Sequence, residues 1–280
     1  MNESGLSIKQ ATSIDGSIEP HAPILQMPPL GQLVYKVTSI DNLLRSISEM
    51  YLHFNRLDAY SDFEKADLHD GEQTHQDKPI NSQVNFEKNP EFTVAHYYNQ
   101  FRSRAYACCF SLENSPNLWK NYGAQGVKGK VGIEFNFFKL RSYLNTTLQS
   151  NSASLMVGDV ICKQIFSINY GIVKYVDWYQ HREALEVLPN PITYVYLKDQ
   201  KYSDEKELRI SLSTIGIGHF GMKDGSIIKF PKGLMFTFDF RQAIEQGVIT
   251  RLLVESSEEA QSLSLELNKH HMKVIVAQQI

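Results

Sequence analysis

Two glutamates separated by one residue, Glu205 and Glu207, run directly into the alternating segment 208–212. Side chains on an extended chain repeat every second residue, so both carboxylates are predicted to point the same way. Arg209 and Ser211 share that face, and the apolar residues between them form the opposite, buried face. Such a carboxylate pair can stabilise the positive charge that develops on a sugar when its glycosidic bond breaks. Acidic pairs are also common at solvated strand ends, so a second line of support is needed.

Two other polar positions occur on predicted strands. Lys36 follows Tyr35 in the first strand, and Ser111 closes the strand that contains Cys108 and Cys109. A cation, a hydroxyl and a carboxylate on three strands could together bind a ribose and polarise its glycosidic bond. Each has a simpler explanation, because Lys36 could lie along a strand edge and Ser111 could cap a turn.

Two aromatic residues follow Ser111 in a short predicted helix. Trp119 and Tyr122 could stack on a departing aromatic ring, although a tryptophan is most often part of the core. Ser115 or Asn114 is predicted to cap this helix.

Composition narrows the class of protein. The chain has 280 residues, 42% of them hydrophobic, and a net charge of −3, which argues against a protein that depends on phosphate contacts. Its three cysteines suit neither a disulfide framework nor a zinc site, and we expect buried reduced thiols. No signal peptide or membrane span is recognised, so a cytoplasmic protein without membrane contact is expected.

The remaining pattern indicates a flexible N-terminal arm over residues 1–30 and one α+β domain over residues 31–280. Strands are predicted at 32–37, 106–111, 130–135, 157–161, 172–175, 236–240, 248–254 and 274–277. Helices are predicted after an Asp41 cap and at 116–122, 138–147, 179–188 and 256–270, the last with a Ser256/Glu259 capping box.

The acidic segment 55–95 is predicted to be a solvated loop, and loops of this length often serve as lids or binding loops. Its carboxylates and histidines lack recognisable ligand spacing, so no metal is expected. A hydrolase that uses Asp62 or Asp67 with a metal stays open as a weaker alternative.

Several of these segments together resemble a bacterial family known only as a domain of unknown function. The resemblance covers residues 32–278 and rests on Tyr35-Lys36, Cys109-Phe110-Ser111, the LWKNYG and GKVGIEF segments at 118–123 and 129–135, Lys198, and the EKELRI segment at 205–210.

The order of these motifs is similar to that of the ADP-ribosyltransferase superfamily. This resemblance implies a split, mainly antiparallel β core flanked by helices, and NAD as the cosubstrate. It implies that Glu207 holds the ribose, that Glu205 orients or deprotonates the acceptor, and that Ser111 supports the nicotinamide side. Lys36 stands where Arg or His is usual and would contact the adenosine ribose or the diphosphate, with Tyr35 able to share that role.

By the same resemblance, the chain would be a toxin of a bacterial toxin–antitoxin or anti-phage system, with RNA or protein as acceptor and a cognate antitoxin as a candidate partner. A binding module that senses a nucleotide or a phage protein without catalysis is the alternative from another class.

Overall fold

Short apolar strands separated by polar turns build most of the molecule. The structure is a computed structural model that describes residues 18–62, 67–85, 92–123, 126–150, 155–157, 160–162, 166–183, 190–214, 219–221 and 227–279. The strands are β1 (Leu33–Ser39), β2 (Tyr51–Arg56), β3 (Ala105–Ser111), β4 (Lys130–Asn136), β5 (Leu155–Val157), β6 (Val160–Cys162), β7 (Phe166–Ile172), β8 (Lys174–Val176), β9 (Leu197–Asp199), β10 (Glu207–Thr214), β11 (His219–Gly221), β12 (Ile227–Lys229), β13 (Gly233–Thr237), β14 (Ile249–Val254) and β15 (Ile275–Gln278). The helices are α1 (Ile40–Glu49), α2 (Asp77–Asn81), α3 (Val94–Arg102), α4 (Pro116–Asn121), α5 (Phe137–Ser150), α6 (Pro191–Val195), α7 (Phe240–Glu245) and α8 (Ser257–Lys269), and 3₁₀ helices cover Ala22–Ile24, Leu57–Asp62 and Gln200–Glu205.

One sheet contains nine of these strands in the order β13-β2-β3-β1-β4-β14-β15, with β10 paired to β3 and β7 paired to β10. Its neighbours are antiparallel except for β14 and β15. The sheet forks at β3, where β1 pairs at Ser111 and β2 pairs at Ala107 and Tyr106. The prediction of an α+β domain with a split, mainly antiparallel core is confirmed.

The main hydrophobic core covers one face of this sheet. There Phe110 and Ile210 pack with apolar residues of α1, α5, α7 and α8. The opposite face carries smaller clusters, one of which contains Val37, Trp119 and Leu253. The polar side chains of β3 and β10 lie on this second face.

The first helix begins at a different cap from the predicted one. Ser39, rather than Asp41, accepts the N–H of Asn42 and is the N-cap of α1. Asp41 instead accepts the N–H groups of Val127 and Lys128, so its carboxylate fixes the loop before β4.

Most of the other predicted elements are confirmed with small shifts at their ends. The strands predicted at 32–37, 106–111, 130–135, 248–254 and 274–277 correspond to β1, β3, β4, β14 and β15, and the capping box that starts α8 is present. Three predicted strands are wrong in detail: 157–161 spans parts of β5 and β6, 172–175 spans the break between β7 and β8, and 236–240 runs from β13 into α7. The helix predicted over 179–188 is wrong in its described part, which contains a turn followed by irregular chain.

The segment 55–95, predicted to be a solvated loop, contains short helices and buried polar side chains in its described part. Several of its polar side chains are buried, because they have partners in distant parts of the chain. Asp70 pairs with Arg209, and Asp77 accepts a hydrogen bond from the Tyr194 hydroxyl. Composition alone could not distinguish these paired carboxylates from solvated ones.

Residues 18–30 contact the domain. The carbonyls of Ile18 and Gln26 accept N–H groups from two residues of β7, and Glu19 pairs with Arg141 at 2.7 Å. The residues before Ile18 lie outside the described part, and the boundary at residue 30 stays a prediction.

Candidate functional site

A row of side chains crosses the sheet on the face opposite the main core. Glu207 on β10 is the cross-strand partner of Ser111 on β3, and Ser111 is the partner of Tyr35 on β1. Such partners have Cβ atoms about 5 Å apart. The sheet therefore brings together three motifs that are far apart in the sequence.

Glu205 reaches the same site through a turn. The predicted extended geometry is wrong at this position, because Glu205 ends a 3₁₀ helix and Lys206 has a left-handed φ of 43°. The Leu112 N–H donates to the Lys206 carbonyl at 2.9 Å and ties this turn to the end of β3. The two carboxylates meet, but strand alternation is not the reason.

Lys198 links the two carboxylates. Its Nζ lies 2.5 Å from Glu205 Oε2 and 3.2 Å from Glu207 Oε2. Burial acts to lower the pKa of Lys198, but the charges of Glu207, Asp70 and Glu205 outweigh it and hold that pKa well above its ordinary value. Lys198 is therefore a permanent cation and offers no free amine for nucleophilic attack.

Arg209 lies fully buried beside Glu207. Its Nε is 2.6 Å from Glu207 Oε1, and its Nη1 is 2.8 Å from Asp70 Oδ1 and 2.7 Å from the Val195 carbonyl oxygen. A buried guanidinium needs such partners to offset its loss of hydration. The orientation of Glu207 is thus fixed by a cation that is itself anchored by Asp70.

The surroundings move the pKa values of the two glutamates in opposite directions. Burial, together with the charge of Glu207, raises the pKa of Glu205 despite the nearby Lys198. Burial also acts to raise the pKa of Glu207, but Arg209 and Lys198 outweigh it and lower that pKa below its ordinary value. A pair separated in this way provides one permanently ionised carboxylate and one that can exchange a proton.

Two hydroxyl groups form hydrogen bonds with the backbone of Glu205 and Glu207. Ser111 Oγ donates to the Glu205 carbonyl at 2.9 Å and accepts the N–H of Glu113 at 3.3 Å. The Glu207 N–H donates to the Tyr175 hydroxyl at 2.8 Å. Ser111 therefore positions the turn that carries Glu205, a role that agrees with its place beside Glu207.

Lys36 and Tyr35 alternate to opposite faces of β1. Tyr35 shares the face of Ser111, whereas Lys36 Nζ donates to the Cys109 carbonyl at 3.2 Å and lies 5.5 Å from the centre of the Phe110 ring. Phe110 belongs to the main core, so Lys36 lies on the core face of the sheet. There it contacts β3 at the point where the sheet forks. Of the two residues on β1 that were predicted to bind the cosubstrate, Tyr35 is the one on the face of the site.

The two predicted stacking residues have different environments. Trp119 is buried against Val37, and its Nε1 donates to Asn114 Oδ1 at 2.7 Å, so it forms part of the framework. Tyr122 exposes 40% of its surface. Burial and then the charge of Glu205 raise the pKa of Tyr122. Tyr122 is thus the better placed of the two to contact a ligand.

Neither described thiol is suited to nucleophilic chemistry. Cys108 and Cys109 are free, and burial raises the pKa of each above its ordinary value. The neighbouring Glu207 raises the pKa of Cys109 further. The prediction of reduced thiols is confirmed for these two, and the third cysteine lies in a region whose side chains are not described.

Sequence reasoning gave no role to three residues that build the site. Lys198 appeared only as part of a motif, Tyr175 is the middle residue of the three-residue strand β8, and Asp70 is 139 residues from its partner Arg209. The spacing of Lys198, Glu205 and Glu207 was the one sequence signal for a role of Lys198. It places this lysine at the other end of the turn that leads to both glutamates.

The acidic segment proposed for a metal-dependent hydrolase has other partners. Asp67 is buried and accepts the N–H of His69 at 2.9 Å, and the side chain of Asp62 lies outside the described part. Across the residues that the structure describes, no group of three or more potential metal ligands converges.

Comparison with known proteins gives a limited result. No protein-family model and no curated protein matches this chain. Among solved structures, Thermus sp. 2.9 DarT in complex with NAD+ is similar, with 9% identity and a TM-score of 0.37 over 90% of this chain and 98% of that chain. DarT from the same organism with ADP-ribosylated ssDNA gives 9% identity and a TM-score of 0.36 over 91% and 97% of the two chains.

Identity and TM-scores this low carry no argument about the activity, cosubstrate or acceptor of this chain. No helix in the described ranges is long and apolar enough to cross a membrane.

Proposed function

We propose that this chain is an NAD-dependent ADP-ribosyltransferase that acts on RNA or protein as a toxin of a bacterial toxin–antitoxin or anti-phage defence system. The proposal is supported above all by the juxtaposition of Tyr35, Ser111 and Glu207 on adjacent strands. A second carboxylate, Glu205, is joined to Glu207 through Lys198. These groups match the parts that the sequence resemblance implies.

In the proposed reaction, the bond between nicotinamide and its ribose breaks, and the bonding electrons leave with the nicotinamide. The ionised Glu207 accepts a hydrogen bond from a ribose hydroxyl and stabilises the positive charge on the sugar. Arg209 and Lys198 contact different oxygens of Glu207, and each oxygen has two lone pairs, so acceptor capacity remains. Glu205 then takes the proton of the acceptor group as that group attacks the anomeric carbon.

The test is nicotinamide release and transfer of label from NAD carrying a labelled adenylate, with lysate protein, RNA and single-stranded DNA as acceptors. Glu207→Gln keeps the size of the side chain and removes its charge, and we expect it to lower the rate about 100-fold or more. Glu113→Gln is the matched control, because Glu113 is an exposed neighbour that pairs with Lys206. A wild-type protein that releases no nicotinamide and labels none of these acceptors would refute the proposal.

A non-catalytic binding module is the second candidate, and one observation favours it. Both oxygens of Glu207 already face cations, which offsets the charge that a transferase would use. This function predicts that NAD raises the melting temperature without being cleaved, and that Glu207→Gln stays active in cells. Cleavage of NAD that depends on Glu207 would decide against it.

A further inference from the structure

The polar row of the site continues past Tyr35 towards the edge of the sheet. Tyr35 is the cross-strand partner of Glu134 on β4, and Glu134 is the partner of Arg251 on β14. Neighbouring strands lie about 4.8 Å apart, so the four steps from Glu207 to Arg251 span roughly 19 Å. One strip of the sheet face therefore carries a carboxylate pair at one end and a guanidinium at the other.

A β-bulge directs two residues of β14 onto Glu134. The strand register shifts between Ile249 and Arg251, so both Thr250 and Arg251 reach the same carboxylate. Thr250 Oγ1 lies 2.6 Å from Glu134 Oε1, while Arg251 Nε and Nη2 lie 2.8 and 2.7 Å from Oε2. Burial and then the charge of Glu134 raise the pKa of Tyr35, while Arg251 acts to lower it, so Tyr35 interacts with both members of this pair. Bulges commonly aim a side chain beside a functional site, and this one fixes the direction of Arg251.

The strip is most exposed at its Arg251 end. The side chains of Glu207 and Glu134 are only 4% exposed, whereas that of Arg251 is 46% exposed. Ile275, the partner of Arg251 on the edge strand, is 67% exposed. A ligand that places its reacting end at Glu207 would therefore extend towards the open end at Arg251.

The chemistry of Arg251 defines what it can bind there. A guanidinium has five N–H donors, and the contacts with Glu134 and Tyr35 use at most three of them. Its planar fork suits phosphate oxygens, and pairing with a buried carboxylate holds it in one orientation. A single such cation on a chain of net charge −3 favours a short anion over a polymer backbone.

We infer that Arg251, positioned by Glu134, Thr250 and Tyr35, is a phosphate clamp for the diphosphate of a dinucleotide. The inference rests on the proposed function, because that function places the reactive ribose at Glu207. It adds a binding residue on β14, far in the sequence from the three motifs of the resemblance.

The clamp is tested by calorimetric titration with ADP-ribose and with adenosine, which lacks phosphate. We expect Arg251→Gln to weaken ADP-ribose binding about tenfold or more and to leave adenosine binding unchanged. Arg241→Gln is the matched control, since Arg241 is exposed and pairs only with Glu245 within α7 among the described contacts. Equal ADP-ribose affinity in wild type and Arg251→Gln, or no ADP-ribose binding by wild type, would overturn the inference. The inference would also be overturned if Arg251→Gln weakened the binding of ADP-ribose and of adenosine equally. The same holds if it weakened only the binding of a single-stranded oligonucleotide.

A second variant separates binding from folding. Arg251→Gln leaves the buried Glu134 without its cation, whereas the double variant Glu134→Gln/Arg251→Gln removes both charges together. The double variant is expected to show the same selective loss of ADP-ribose affinity with a melting temperature close to that of wild type.

Nicotinamide release distinguishes this inference from the proposed function. If Arg251→Gln cleaves NAD with an unchanged KM, the clamp is wrong and the transferase stands. If ADP-ribose binds through Arg251 but wild type cleaves no NAD, the clamp stands and the transferase is wrong.

Discussion

Glu205 and Glu207 have the same side chain but different properties, and the difference comes from their partners. Glu207 contacts two cations, whose charges outweigh the opposing effect of burial and lower its pKa. Glu205 contacts one cation, Lys198, and its burial together with the charge of Glu207 raises its pKa. In the proposed reaction, this asymmetry suits Glu207 to the fixed charge and Glu205 to the proton transfer.

The pH dependence of the reaction follows from this assignment. Glu205 must be ionised to take a proton, and its raised pKa means that it ionises only above the ordinary value of 4.5. We therefore expect transfer to fall as the pH is lowered through a value above 4.5, and Glu205→Gln to remove this acidic limb while lowering the rate. The measurement is the pH profile of kcat/KM, with Glu113→Gln expected to keep the limb. An identical limb in Glu205→Gln would show that another group titrates.

At the scale of residues, alternation along β10 could be predicted and the turn before it could not. Leu208 and Ile210 lie in the main core, and Arg209 lies on the other face with Glu207, as the sequence pattern indicates. Glu205 departs from that pattern because the left-handed backbone of Lys206 depends on contacts with the end of β3. A three-residue motif contains no information about such contacts.

At the scale of elements, the segment 67–85 stabilises the site through its contact with Arg209. Its Asp70 is buried and pairs with Arg209, which in turn orients Glu207. The chain of contacts runs from a segment that looks polar and irregular in the sequence to the carboxylate assigned to catalysis. Loss of Asp70 would therefore affect both folding and geometry.

Asp70→Ala is expected to lower the free energy of unfolding by about 3–5 kcal/mol, because the fully buried Arg209 loses one of its two carboxylate partners and keeps only Glu207. Asp58→Ala is the control, since its pair with Arg56 is partly exposed and should contribute about 1 kcal/mol or less. Urea unfolding monitored by circular dichroism gives both values. A loss for Asp70→Ala as small as that for Asp58→Ala would mean that Arg209 finds a different partner.

Strong local patterns explain which elements could be predicted. β3, β4 and α8 combine clear periodicity with turn or capping signals, and the structure confirms all three. The segment 67–85 has few apolar residues, and its order depends on pairs such as Asp70 with Arg209 that lie far apart in the sequence. Such long-range pairs leave no local periodicity to detect.

At the scale of the whole molecule, the fork at β3 determines where the site can form. β10 pairs along the length of β3, while β1 and β2 share its other side and separate between Ala107 and Ser111. Cys109 lies between these two pairing points, and its carbonyl accepts a hydrogen bond from Lys36. Lys36 thus compensates for the ladder hydrogen bond that is lost where the sheet divides.

Lys36→Met separates this framework role from a direct contact with the cosubstrate. Methionine keeps an unbranched apolar side chain but cannot donate to the Cys109 carbonyl, so we expect the free energy of unfolding to fall by about 1–3 kcal/mol. Because the side chain of Lys36 lies on the sheet face opposite Ser111, the KM for NAD should stay at the wild-type value in folded protein. Lys120→Met, at an exposed position of α4, is the control for the loss of one lysine charge. Unchanged stability together with a large rise in KM would instead place Lys36 in contact with NAD, as the sequence resemblance implies.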